Sequence, residues 1–325
     1  MKYKFRITIL ILFMFILTQA IGLYVINHYS PTVIVNDVQQ NTSAPQLPLG
    51  LEPPALPPQS NFWTSYFPSI LFSFVIAISL FFILTRFKAE FILRAWFFIV
   101  VTIALAVSLI SFLPQAVIFI ISALAVSAVL AFFKIYRQNF VVHNVTELLI
   151  YPGIAAIFVA LLSNPSNPNQ GVYAAIALLA IISVYDIWAV WHSGIMQKMA
   201  KYQINKLRLF GGFLIPEISE QMRLRMKKIK KSHLKNKRIK INLALLGGGD
   251  VVFPLIMAGV VLRRFGFITL FGIQFPVASI LIIFGAALGL SCLIIFSDKK
   301  KFYPAMPFIS AGAFAMLGLC YLLFG

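Results

Sequence analysis

Nine apolar windows, at residues 7–26, 65–85, 95–113, 115–133, 146–163, 172–192, 243–262, 268–296 and 302–323, constrain this chain more than any motif does. At about 1.5 Å of rise per residue, roughly 20 residues cover a hydrocarbon core of about 30 Å. A helix pairs its own backbone groups where no water is present to do so. The expected fold is therefore all-α and polytopic, with nine transmembrane helices. Composition agrees where it matters, since only 11% of the 325 residues are charged, against about 25% in an ordinary soluble chain.

The formal charge of +18 invites a nucleic-acid reading, but its distribution argues against one. Fourteen Lys and Arg residues fall between Lys198 and Lys240, beside only Glu217 and Glu220. Basic stretches of this kind mark the cytoplasmic side and meet anionic headgroups. With Lys2, Lys4 and Arg6 before an uncleaved first helix, nine crossings put the N-terminus and the 193–242 loop in the cytoplasm and the C-terminus outside. The same topology makes the Arg86/Lys88/Arg94 and Lys134/Arg137 connections and residues 298–301 cytoplasmic. Arg263-Arg264 dissents and is outvoted. The chain divides into a six-helix region at 1–192 with an external Pro-rich loop at 27–62, the basic loop at 193–242, and a three-helix region at 243–325. Seven prolines from Pro31 to Pro58 favour extended backbone in the external loop, and Asn41-Thr42-Ser43 matches a glycosylation acceptor. Cys292 and Cys320 lie in apolar segments, and the four histidines flank spans or sit in the basic loop. Neither a disulfide, a metal site nor a cofactor is expected.

Two of the four aspartates, Asp186 and Asp250, occupy otherwise charge-free membrane windows. A carboxylate there is costly and faces the protein interior, a cavity or a pathway. Asp186 lies six residues before His192, and Asp250 about seven residues into the seventh window, so antiparallel helices hold both acids roughly 9–10 Å below one membrane face. Two carboxyls sharing an apolar site do not both ionise cheaply. The ionised one can activate water against a peptide carbonyl while the protonated one polarises that carbonyl, which is aspartyl peptide hydrolysis. The plainer readings stay open at this point: Asp186 can satisfy Tyr185 or a serine, and Asp250 can cap a helix at the interface.

Gly247, Gly248 and Gly249 before Asp250 permit unusual dihedrals and close approach of another backbone, or simply a small-residue helix contact. Pro304 and Pro307, in Pro304-Ala305-Met306-Pro307, fray the start of the ninth window and leave backbone carbonyls for a substrate or a neighbouring loop.

Taken in order, Tyr185-Asp186 in the sixth window, Gly247-Gly248-Gly249-Asp250 as a GxGD motif at the seventh, and Pro304-Ala305-Met306-Pro307 as a PAL region at the ninth make the chain resemble the presenilin and signal peptide peptidase family of intramembrane aspartyl proteases. Met306 stands where the family has leucine, an apolar residue of similar size. The inferred direction of the sixth and seventh helices is similar to presenilins, and most like an archaeal presenilin homologue. The resemblance implies a presenilin-like fold, Asp186 and Asp250 as the catalytic dyad, and Tyr185, the three glycines and residues 304–307 as groups that bind substrate or shape the cleft. It implies transmembrane or signal-peptide substrates, contact with membrane lipids and no cofactor; a homo-oligomer is compatible, and accessory subunits are not specified. A proton- or cation-coupled transporter and a non-catalytic membrane scaffold are the alternatives from other classes.

Overall fold

The computed structural model describes residues 5–30, 32–35, 38–41, 47–51, 61–87, 89–137, 139–164, 167–193, 211–217, 242–270, 273–297 and 303–324. Most of the Pro-rich tract, most of the basic stretch and residues 298–301 lie outside them, as do Thr42 and Ser43 of the glycosylation motif. Nine long helices run through the described residues: α1 (Phe5–His28), α2 (Phe67–Arg86, entered through a wide π-type turn at Phe62–Tyr66), α3 (Glu90–Ile110), α4 (Val117–Tyr136), α5 (Phe140–Leu162), α6 (Pro168–Trp188), α7 (Gly248–Phe265), α8 (Val277–Phe296) and α9 (Met306–Phe324). All but α7 are long and apolar enough to span a membrane by length and composition alone. The fold is all-α and polytopic, as the windows predict.

The exception is the centre of the molecule. α7 has only 18 residues and carries Asp250, Arg263 and Arg264, yet Val251, Leu255, Met257, Ala258 and Val261 are wholly buried. It packs against α1, α5, α6, α8 and α9. A helix apolar nearly all round belongs inside a bundle rather than against lipid, and protein on every side also accommodates its charges. Gly266, at φ +66°, ends it by returning its N–H to the Leu262 carbonyl at 2.8 Å, the terminal geometry for which glycine is suited. By contrast α2 lies at the rim, with Phe72, Val75 and Ile76 exposed. α8 and α9 pair so closely at Gly285 and Gly312 that a methyl on either would strike the other's backbone.

Among the described residues, three antiparallel ribbons supplement the helices: β1 (Thr32–Val35) with β2 (Val38–Asn41), β3 (Gly212–Glu217) with β4 (Asn242–Gly247), and β5 (Ile268–Leu270) with β6 (Ile273–Phe275). Two of them redraw the expected windows. Residues 242–247 are strand, so the seventh helix starts at Gly248 instead of Leu243. Residues 268–270 and 273–275 pair as antiparallel strands, and the eighth helix starts only after Pro276. Both differences have one cause: hydropathy sums do not separate a short apolar strand from a helix. β3 falls inside the basic stretch, where its first five residues, Gly-Phe-Leu-Ile-Pro, are apolar.

Candidate active site

Asp186 sits in the last turn of α6 and is buried, 7% exposed. Its Oδ2 accepts the Met306 backbone N–H at 3.1 Å, and the Ala305 N–H points at the same carboxylate. The first N–H groups of a helix have no partner within it. α9 starts at Met306, with Pro307, which has no N–H, next in the chain, so the donors left at its N-terminus are directed to an acid. Ser183, one turn earlier, donates to Ser310 of α9 at 3.0 Å and ties the two helices together.

Asp250 is the third residue of α7, in its first turn, and is partly buried. The expectation of seven residues of helix before it is corrected by β4: the acid sits at the mouth of the helix. Its carboxylate folds back toward the Gly247 N–H, an arrangement in which a third-position acid covers the capping residue's donor. Asp186 is the acid within electrostatic reach of it. Gln19, buried in the middle of α1, donates to the carbonyl of Val251 at 2.9 Å and holds the same turn from the other side.

The three glycines differ in what they leave room for. A methyl at Gly248 would lie 2.8 Å from the Tyr151 hydroxyl oxygen and 2.9 Å from its ring; at Gly247 it would lie 3.1 Å from Oδ2 of Asp250; at Gly249 it would meet only Phe253 at 3.4 Å. Gly248 is thus the position where glycine is sterically required, because Tyr151 of α5 fills the space over it. The Tyr151 ring also meets Phe213 of β3 edge-on, with centroids 5.6 Å apart. Its hydroxyl is buried near Glu147 and Asp250 and closes no hydrogen bond of good geometry among the described residues.

The structure therefore brings together Asp186, Asp250, Gly247, Ala305 and Met306, with Pro304 buried behind them and Pro307 inside the first turn of α9. Tyr185 stands apart: it is 47% exposed, beside Trp188 at 6.3 Å between centroids, on the outward side of α6. Tyr151 and Gln19 belong to the site although no motif contains them. The one signal for Gln19 is a lone amide in the charge-free interior of α1; Tyr151 has none beyond its place on α5.

The sequence profile of the family described as signal-peptide peptidase, presenilin aspartyl protease matches residues 52–325. The chain belongs to that family. Two crystal forms, C222 and P2, of a presenilin family intramembrane aspartate protease have the same fold, at TM-scores of 0.54 and 0.55. In both cases 16% of residues are identical, and 96% of this chain and 96% of that one are covered. No curated protein sequence matches. At such identity the likeness is one of fold, and a presenilin-type bundle persists here with nearly all its side chains exchanged.

Proposed function

We propose that this member of the presenilin and signal peptide peptidase family is an intramembrane aspartic endopeptidase, with Asp186 and Asp250 as its dyad. The observation that supports the reading is that two membrane-segment carboxyls, at the end of α6 and the start of α7, lie within electrostatic reach of one another, one of them held by the N-terminus of α9. One carboxylate takes a proton from water as the water oxygen attacks the scissile carbonyl carbon. The other carboxyl gives its proton to the carbonyl oxygen. The resulting tetrahedral diol collapses as the acid that took the water proton passes it to the amine nitrogen, the other, now ionised, takes a proton back from a diol hydroxyl, and the C–N bond breaks to give a carboxyl and an amine. Water is the second substrate, and no organic cofactor or metal takes part in these steps.

Substrates are transmembrane helices or signal peptides that unwind near the cytoplasmic side. Tyr185, on the exposed side of α6, is placed to contact them; Gly247–Gly249 and residues 304–307 shape the cleft around the acids. The N-terminus and the 193–242 loop are cytoplasmic and the C-terminus extracytoplasmic, with the six-helix and three-helix regions meeting across the basic loop.

The test is mass-resolved cleavage of a panel of single-span helices by purified protein in lipid, comparing wild type with Asp186→Asn and Asp250→Asn. Wild-type products that vanish in both folded variants support the dyad. Products retained by either variant sink it, and ion- or pH-gradient-driven flux without peptide products would turn the reading to transport.

A further inference from the structure

A second cluster of ionisable groups lies beyond the two aspartates, buried where α4 and α5 meet the β3–β4 ribbon. Lys134 near the end of α4 gives its Nζ to Glu147 Oε1 of α5 at 2.6 Å, and these side chains are 7% and 2% exposed. His143, one turn before Glu147, places Nε2 2.8 Å from the Gly212 carbonyl and Nδ1 3.3 Å from Lys134 Nζ. A ring protonated at Nε2 satisfies both contacts, donating to Gly212 and accepting from Lys134. Glu147 Oε1 also faces the Gly212 N–H at 3.4 Å. Asn144 completes the set: its Nδ2 donates to the Leu214 carbonyl at 2.8 Å and its Oδ1 accepts the Leu214 N–H at 3.0 Å.

Gly212 and Leu214 are two apart, so their backbone groups point to the same edge of β3. β4 pairs with the opposite edge. The edge next to α5 is thereby closed by four side-chain contacts in place of a third strand. Phe213, Ile215, Ala244 and Leu246 bury one face of the ribbon and so specify its register along most of its length. At the end nearest the acids the residues have no side chains of their own to hold them: Gly212 pairs with Gly247, and the Gly248 N–H donates to the Gly211 carbonyl at 3.1 Å. Asp250 follows two residues later. Tyr151 extends the same stripe of α5, four residues after Glu147, and packs on both Phe213 and Gly248.

We propose that Lys134, His143, Asn144 and Glu147 are positioning residues: a polar clamp that holds the glycine end of the β3–β4 ribbon in register and, through the glycine turn, fixes the aim of Asp250 at the scissile bond. This deepens the protease reading and rests on it. A buried ion pair is weak evidence for stability, and setting a register is its better attested use. The clamp thus governs where and how fast the enzyme cuts rather than whether it folds.

The test measures kcat, KM and the masses of all products in lipid for wild type, Asn144→Ala, His143→Ala and the charge-neutral pair Lys134→Gln/Glu147→Gln, using a helix that wild type cleaves. Asn144→Ala is expected to lower kcat about tenfold to a hundredfold with little change in KM, as a displaced catalytic group does, and to spread the cut over neighbouring bonds. The double variant, which removes the buried ion pair and so loosens the Glu147 contact with the Gly212 N–H, is expected to spread the cut in the same way. Unchanged kcat and cut position in Asn144→Ala and His143→Ala would overturn the clamp. Amide exchange on the wild-type protein tests the clamp without variants and without activity: the Gly212 and Leu214 amides are expected to exchange as slowly as the β4-facing amides of the same ribbon, and fast exchange would overturn it. Cleavage that survives Asp186→Asn or Asp250→Asn would instead defeat the dyad, while the exchange rates bear on the clamp alone.

Discussion

Gly248 is expected to be the least replaceable of the three glycines, because the space a methyl would fill already holds the Tyr151 hydroxyl and ring. Gly248→Ala should cost about 1–3 kcal/mol, the range for overpacking a tight site, and remove most cleavage. Shrinking the neighbour in Gly248→Ala/Tyr151→Leu should recover a measurable part of both, read by thermal unfolding and product yield; strictly additive losses would show that the two do not meet. Gly249→Ala should be milder, since its nearest neighbour is an ordinary contact with Phe253. At the acids, Asp186→Asn and Asp250→Asn should each lower kcat by about a thousandfold or more, because groups acting as one unit fail together. The scarcity of acids in apolar windows made Asp186 and Asp250 legible in the sequence. Glu147 obeys the same rule, lying inside the 146–163 window, but the Lys134 that balances it looked like part of a connection. Tyr151 was not legible at all, because an aromatic residue on an apolar helix carries no mark of what lies opposite.

Among the elements, hydropathy fixed the number and order of the helices and misplaced their starts. The error that bears on the site is where the chain enters it: Leu243 to Gly247 is as apolar as a helix and is a strand. Its partner, residues 212–217, sits in a basic neighbourhood that obscured an apolar run. Long-range pairing of this kind is set by contacts distant in sequence, which local patterns do not carry. The ninth helix shows the opposite case. Pro304 and Pro307 signal an irregular start, and the structure begins α9 at Met306, but the groups it presents to Asp186 are backbone N–H donors rather than the carbonyls expected from a frayed end. α8 supports that start from behind. Gly312→Val should push α8 and α9 apart at Gly285, lower the unfolding temperature, and reduce cleavage by disturbing the grip on Asp186. Wild-type cleavage in that variant would mean that the α9 terminus holds the acid without α8.

For the molecule as a whole, orientation rests on the Lys/Arg bias, and the one dissenting pair has a structural account. Arg263 donates to the Tyr29 carbonyl at 3.3 Å, and Arg264 bonds Asn169 and lies over the Phe265 ring. Both are committed to protein partners at the ends of α1, α6 and α7, so they contribute little to the charge that anionic lipid reads. A single cysteine at Ser232, in a Cys292→Ala/Cys320→Ala background, should react with an impermeant maleimide only when the cytoplasmic face is open. Labelling from outside in intact cells would reverse the topology. The central claim is that two aspartates activate water without a covalent intermediate. Its most direct measurement is cleavage of a helical substrate in ¹⁸O-labelled water with hydroxylamine present. The account predicts ¹⁸O in the new C-terminal carboxylate, no hydroxamate, and no product from Asp186→Asn or Asp250→Asn. A hydroxamate product, or labelled product from either variant, would contradict it.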